Sequence, residues 1–215
     1  MNGVIITTHN RWVDCFACLN TVIKHTPDSY IILFDNESDE SKQEEVKKLF
    51  PTVKYVRIDN QTENGGLTGT WNQGISLCLS SGCDSIVVLN HDTLVDSSWG
   101  DFFKAIKEYP LSVFGPVSNK PGVLGYAHPL QFTNKKKKYT VEKADTCING
   151  FCIGFSAETI KKVKKETGMY FNISFPFSNN ELEFCKRFLS LKGSLYVVTS
   201  CFVHHTKYSD WRKLK

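Results

Sequence analysis

The chain has 215 residues, of which 41% are hydrophobic and 22% charged, and it carries a formal net charge of +4. That length suits one domain with a full core, and the composition is that of an ordinary soluble globular protein. No apolar run approaches the ~18 residues of a membrane span. The start, Met1-Asn2-Gly3-Val4-Ile5-Ile6, lacks the basic and long apolar regions of a signal peptide, so a cytoplasmic location is expected.

From the amino terminus, residues 4–8 predict a short strand. Residues 12–25 predict a helix, with Val13, Phe16, Ala17, Asn20 and Ile23 at helical spacing. A second strand over 30–34 is closed by the turn-rich stretch 35–39, and a helix over 40–50 is ended by Pro51. A third strand follows at 53–58, then a helix over 68–81 after the Gly65-Gly66 break, then a strand at 85–90. Ser97 or Ser98 can cap the next helix, which runs to Tyr109 before Pro110. This alternation predicts a largely parallel sheet covered by helices on both faces. Such sheets bind ligands at the carboxyl ends of their strands. The polar clusters Thr8-His9-Asn10-Arg11, Asp35-Asn36-Glu37-Ser38 and Asn90-His91-Asp92 fall at those ends.

The second half is less regular. It predicts a strand over 112–117, a Gly/Pro/Lys-rich loop over 121–140 with room for a hairpin, and a strand over 147–155. Helices over 157–166 and 181–191 precede a last strand over 195–203 and a polar tail over 208–215. The expected fold is α/β, a mostly parallel central sheet flanked by helices, with a small mixed second sheet from the latter half. It forms one domain, which further domains of a longer protein can follow.

Eight cysteines do not describe a disulfide framework, because Cys15 and Cys18 lie in an expected helix and Cys78, Cys152, Cys185 and Cys201 sit in apolar patterns. One C-x-x-C without a second pair falls short of a zinc set. Free buried thiols in a reducing compartment are expected instead. The run Lys135–Lys138, with Lys161, Lys162, Lys164 and Lys165, reads as solvated loop and helix faces. An anionic partner is the alternative.

Four segments carry chemistry. At the end of the 85–90 strand, Asn90 and Asp92 stand two residues apart and share a face. Asp92 suits a hard divalent cation, Mn²⁺ or Mg²⁺, bridged to diphosphate oxygens, although Asn-x-Asp is also ordinary turn chemistry. The stretch from Asn64-Gly65-Gly66 to Asn72-Gln73-Gly74 lets backbone approach a ligand at a helix start. It is neither a Walker loop nor a dinucleotide fingerprint, and a plain tight loop is the other reading. Glu181 and Glu183 open a helix, where acids are common for dipole reasons alone. If that helix start lines a cleft, one of them is a candidate general base. Cys201-Phe202-Val203-His204-His205 ends a core strand in two histidines.

Taken together and in order, these segments resemble the GT-A glycosyltransferases, especially the inverting family-2 type. Val4–Arg11 is similar to the family's opening strand and Thr-x-Asn-Arg turn, and Asp35-Asn36-Glu37-Ser38 to its Asp-Asn-x-Ser turn. Asn90-His91-Asp92 stands where the family has Asp-x-Asp. Glu181–Arg187 resembles its Asp-x-Asp-Leu-Cys-x-Arg helix, and Val203-His204, with Ser209 beyond, its closing His. The cues are also similar to rhamnosyl-type transferases and compact viral glycosyltransferase domains.

The resemblance implies a nucleotide-binding half over about 1–96 and an acceptor-side half over about 97–215. It implies a nucleotide-diphosphate sugar donor, with uridine favoured, and a glycan or other hydroxyl acceptor. Neither a nucleic-acid partner nor a membrane span is expected. Thr7, Thr8, Asn10, Arg11, Asp35, Asn36, Gly65, Gly66, Asn72, Asn90 and His91 would bind the nucleotide sugar. Asn149, Gly150 and Phe151 would border the acceptor, and Asp92, supported by His204, would hold Mn²⁺ or Mg²⁺. Glu181, with Glu183 as its competitor, would be the base. Two departures stand out: Asn90 replaces the first acid of Asp-x-Asp, and Glu181 replaces the usual Asp. A nucleotidyltransferase, or a silent domain that binds nucleotide sugar or glycan, are the alternatives; the first would want a basic residue near the Gly-rich loop, which has none.

Overall fold

Alternation of apolar side chains between two sheet faces organises the chain. In the structure, a computed structural model that describes residues 1–123 and 125–206, nine strands and six helices follow one another. The first half runs β1 (Asn2–Thr8), α1 (Trp12–His25), β2 (Tyr30–Asn36), α2 (Gln43–Leu49), β3 (Lys54–Ile58), α3 (Gly66–Ser80) and β4 (Ser85–Asn90). There follow β5 (Thr93–Val95), α4 (Trp99–Glu108), β6 (Ser112–Val117), β7 (Val141–Ala144), β8 (Cys152–Ser156), α5 (Ala157–Thr167), α6 (Asn180–Ser190) and β9 (Ser194–His205).

The sheet order is β3-β2-β1-β4-β8-β6-β9-β5, with β7 on β9. From β3 to β4 all pairing is parallel. β8 enters antiparallel to β4, and the latter half is mixed, β6 lying parallel to β9 while β5 and β7 oppose it. In β1, Val4 and Ile6 face one core layer and Ile5 the other, as period-two backbone requires. The first layer takes Cys15, Cys18, Leu19 and Val22 of α1 and Trp99, Phe102, Phe103 and Ile106 of α4, both sets at i, i+3, i+4, i+7. The second takes Trp71, Ile75 and Cys78 of α3 with Phe184, Cys185 and Phe188 of α6. α3 lies close against β1, because a Cβ at Gly74 would stand 2.7 Å from Ile5 Cγ2.

The differences from the sequence reading have local causes. The expected strand over 147–155 is extended only from Cys152, because Asn149 Oδ1 accepts the Phe151 N–H (3.1 Å) and the Ile148 N–H turns to Cys185 Sγ (3.4 Å). In the 121–140 loop there is no hairpin among the described residues. It contains a 3-10 turn, Pro129–Phe132, closed by a reciprocal capping of His128 and Gln131. The three-residue β5 was not expected; three residues carry too little pattern, and its partner lies 110 residues away in β9. All eight cysteines are free thiols and buried, as expected. The tail over 208–215, with Ser209, lies outside the described residues. Among those residues no helix is long and apolar enough to cross a membrane.

Candidate active site

The carboxyl ends of β2, β1 and β4 lie side by side, with Thr8 opposite Asp35 and Thr7 opposite Asn90. The chain reverses its direction of strand addition at β1, which places a crevice at this edge. β8 runs the other way, so the turn 149–151 that precedes it arrives at the same edge beside β4.

On the β2 side most polar residues bond to one another, while Thr8 Oγ1 is buried without a hydrogen bond among the described residues. Asp35 is wholly buried; Oδ1 accepts the Ser38 N–H (3.0 Å), and Oδ2 accepts the Tyr55 hydroxyl (2.6 Å) and Arg57 Nη1 (2.8 Å). Burial, and then the carboxylate beside it, push the Tyr55 phenol up to about 12. Asn36 is also buried; its Oδ1 accepts the Thr70 hydroxyl (2.9 Å), and His9 Nδ1 donates to its backbone oxygen (2.8 Å). Asn10, in the left-handed region (φ 56°), grips Asp39 with both ends of its amide, and Arg11 pairs with Asp14. Thr8 is buried on the face it shares with Val4 and Ile6. Asp35, Asn36 and Asn10, expected at the nucleotide, therefore also shape the turns over the β1 and β2 ends.

The glycine-rich stretch also departs from expectation. Gly65 and Gly66 have positive φ (79° and 61°), and a Cβ at Gly66 would stand 2.7 Å from the Pro176 carbonyl and 2.8 Å from the Phe177 ring. The Thr68 N–H donates to that same carbonyl (3.0 Å), so the start of α3 is covered by protein and does not face an anion. Asn72 donates to the Phe171 oxygen (2.8 Å) and accepts from its N–H (2.9 Å). Gly65, Gly66 and Asn72 make a joint between α3 and the segment ahead of α6.

The β4 side retains chemical capacity. The Asn90 N–H donates to the Phe151 oxygen (2.9 Å), while its side-chain amide makes no hydrogen bond among the described residues. His91 Nδ1 lies 2.8 Å from the Thr7 oxygen; a carbonyl only accepts, so the proton sits on Nδ1. Burial lowers the pKa of His91, and its neutral ring leaves a buried Nε2 without a partner. Thr7 and His91 thus brace β1 against the β4 turn.

Asp92 is 4% exposed, and its Oδ1 accepts from His205 Nε2 at 3.1 Å. The other ring nitrogen of His205 donates to the Lys120 oxygen (2.8 Å), so both nitrogens carry protons in this arrangement. Burial opposes that charge, but the Asp92 hydrogen bond and carboxylate outweigh it and raise the His205 pKa. For Asp92 burial pulls upward, yet His205 and His91 bring the carboxyl below its ordinary value. His204, expected to support the metal, is exposed, because adjacent strand residues point to opposite sides. The inward parity of the buried Cys201 and Val203 marks His205, and that signal was present in the sequence.

Glu181 stands in the first turn of α6, half-buried, with no ion partner among the described residues. Burial raises its pKa, and backbone N–H groups of Glu181 and Gly150 offset part of that rise. A Cβ at Gly150 would lie 2.9 Å from the Trp71 ring and 3.4 Å from Glu181 Cδ, so a bare backbone is what lets the three meet. Glu183 is otherwise engaged: Arg187 Nε and Nη2 reach its two oxygens at 2.7 and 3.1 Å, and Nη2 also donates to the Tyr170 oxygen at 2.7 Å. Phe151 is buried and stacks on His205 with centroids 5.5 Å apart, so it floors the cleft. Asn149, tied to Gln131 Oε1 (3.0 Å) and to Phe151, builds the turn. Hollows of about 820 Å³ beside Thr26 and Phe103, and about 850 Å³ beside His128 and Glu142, lie away from this cleft.

No group of three or more His, Cys, Asp or Glu side chains converges as a metal site among the described residues. Asp92 and His205 supply one oxygen and one nitrogen donor, a sparse pair that fits an Mn²⁺ or Mg²⁺ ion completing its shell with diphosphate oxygens and water.

The model of the glycosyl transferase family 2 matches residues 3–167. The chain belongs to that family. Among solved structures it is similar to GalNAc-T7 with UDP, GalNAc and Mn²⁺ (TM-score 0.75, 16% identity, 95% of this chain and 43% of that one). It is also similar to residues 1–349 of S. aureus TarS in complex with UDP (TM-score 0.63, 16% identity, 94% of this chain and 60% of that one). These likenesses establish the GT-A fold, and this chain spans less than two thirds of either structure. No curated protein matches the sequence. The family match stops short of α6 and β9, which contribute Glu181 and His205.

Proposed function

We propose that this family-2 chain transfers a sugar from a nucleotide diphosphate, with UDP the favoured nucleotide, to an acceptor hydroxyl with inversion and with the help of a divalent cation. One observation carries the reading. The two-residue step Gly150-Phe151 touches Glu181 with its first residue and stacks on His205, the partner of Asp92, with its second. A carboxyl with no ion partner among the described residues is thereby held by the same turn as a pair suited to a cation, at the carboxyl edge of the sheet. The UDP in both solved neighbours, and the Mn²⁺ in one, support the donor and the cation.

In the single displacement Glu181 takes the proton of the acceptor hydroxyl while that oxygen attacks the anomeric carbon. The carbon–oxygen bond to the diphosphate breaks on the opposite side, and the diphosphate leaves with the bonding pair. Burial suits Glu181 to this work, because a carboxyl shifted upward holds a proton better than an exposed one. A cation on Asp92 and His205 would neutralise the charge that grows on the leaving group. To hold a cation, His205 would have to give up its Nε2 proton, so such binding would release a proton. Asn90, neutral where the family carries an acid, leaves its amide for the ribose.

Calorimetry of UDP binding, with and without Mn²⁺, tests the cation. Asp92→Asn should abolish the Mn²⁺-dependent gain in affinity and leave metal-free binding and the fold intact. Equal Mn²⁺ dependence in variant and wild type would remove Asp92 from the site.

A further inference from the structure

Glu181 sits on a helix with an unusual start. The residue before α6, Asn179, is left-handed (φ 61°), and its side chain caps nothing. The side-chain acceptor at this helix start is instead the Oδ1 of Asn180, which takes the Glu181 N–H at 2.9 Å. Asn180 is 2% exposed, so its amide needs partners within the protein.

Those partners lead to α3. The Thr68 hydroxyl, wholly buried, donates its single hydrogen to the Phe175 oxygen (2.6 Å). Its remaining contact with Asn180 must then be donated by Asn180 Nδ2 (2.9 Å). This fixes which way the Asn180 amide points: with its nitrogen on Thr68, its oxygen is delivered to the Glu181 N–H. The Thr68 N–H meanwhile holds the Pro176 oxygen (3.0 Å). One residue of α3 thus anchors three groups of the segment that leads to Glu181, more than 100 residues later in the chain.

We infer that Thr68 and Asn180 are positioning residues for Glu181: the directed relay from the Thr68 hydroxyl through the Asn180 amide to the Glu181 backbone sets where the carboxylate meets the acceptor. The inference rests on the reading of Glu181 as the base. Its physical basis is that a base acts only within hydrogen-bond reach of the proton it takes. Thr68 and Asn180 touch neither donor nor acceptor in this account.

The test uses Thr68→Val, which keeps shape and removes the hydroxyl, and Thr68→Ser, which restores it. Amide hydrogen exchange at Glu181 reports the relay. Steady-state cleavage of UDP-glucose, UDP-galactose and their N-acetyl forms, with Mn²⁺, reports chemistry on whichever is turned over. Thr68→Val should speed exchange at the Glu181 N–H and lower kcat about ten- to a hundredfold with KM nearly unchanged. Thr68→Ser should return both to wild-type values. Unchanged exchange and kcat in Thr68→Val, a loss confined to KM, or no rescue by serine would each overturn the inference. If Thr68→Val does not fold, Asn180→Ala is read by the same criteria. Full turnover in Glu181→Gln would overturn the base assignment, whereas exchange at Glu181 in Thr68→Val decides the relay by itself.

Discussion

The two flanks of the cleft treat their polar residues differently. On the β2 flank, Asp35, Asn36 and Asn10 bond to Ser38, Tyr55, Arg57, Thr70 and Asp39, and Thr8 Oγ1 is the buried atom without a hydrogen bond among the described residues. On the β4 and α6 flank, among the described residues, Glu181 has no counter-ion, the Asn90 amide and His91 Nε2 have no hydrogen bond, and Asp92 accepts from His205. Buried polar groups that are fully paired rigidify a structure, while incompletely paired ones are held for a ligand or for chemistry. Under the proposed function the first flank chiefly shapes turns and the second carries the reaction. Substitutions on the first should register in stability, and on the second in turnover.

The largest expected effect is at Glu181. Glu181→Gln keeps the size of the side chain but cannot take a proton, and turnover of a sugar nucleotide should fall by about 10²–10⁴-fold with nucleotide affinity nearly unchanged. Glu183→Gln, in the same turn of α6, should behave oppositely. It removes the charge that Arg187 grips at 2.7 and 3.1 Å, costs about 1–3 kcal/mol of stability, and leaves turnover near wild type. Steady-state kinetics alongside thermal melts separate the pair. Turnover lost in Glu183→Gln and kept in Glu181→Gln would exchange their roles.

Next is Asp35, the most enclosed carboxylate of the scaffold flank. Asp35→Asn removes the charge facing Arg57 and the strongest acceptor for Tyr55, and should destabilise by about 2–4 kcal/mol. Arg57 is partly solvated, which keeps the loss at the lower end of that range. Urea denaturation and UDP calorimetry on the folded protein check it. Unaltered stability with lost UDP affinity would return Asp35 to the nucleobase contact that the family resemblance implies, and would erase the contrast between the flanks.

The contrast also explains what was legible in the sequence. α1 was delimited at both ends, and β1 to β4 were placed to within a few residues, because α1 buries one face at helical spacing and β1, β2 and β4 are short apolar runs buried on both faces. Asp92 and Glu181 were singled out by motif and position. The occupation of Asp35 by Tyr55 and Arg57 was hidden, because β3 meets β2 through side chains whose pairing follows from register. The choice of His205 over His204 was legible in the strand parity of Cys201 and Val203 but was not drawn from it. The Thr68 and Asn180 contact spans 112 residues, and no local pattern encodes it.

The smallest predicted effect is the pH dependence of Glu181, and it tests the open flank most directly. Burial against Trp71 and Gly150 raises its pKa from the ordinary value of 4.5, and the buried Cys185 thiol is the other titratable group that faces it. The base works only when ionised, so turnover should decline as pH falls through the raised value, with an acid limb above pH 4.5. Stability has the opposite sign. The folded state favours the protonated form, so this group's contribution is complete below pH 4.5 and is lost as pH rises through its folded value. Above that value wild type bears the cost of an ionised, desolvated carboxylate, and Glu181→Gln should melt higher, with the gap closing toward acid pH. A lone buried carboxylate behaves in this way, whereas one paired with a cation would lose stability when neutralised. An acid limb at or below pH 4.5, or a variant that melts lower than wild type at pH 7, would show that Glu181 is already partnered in the resting cleft.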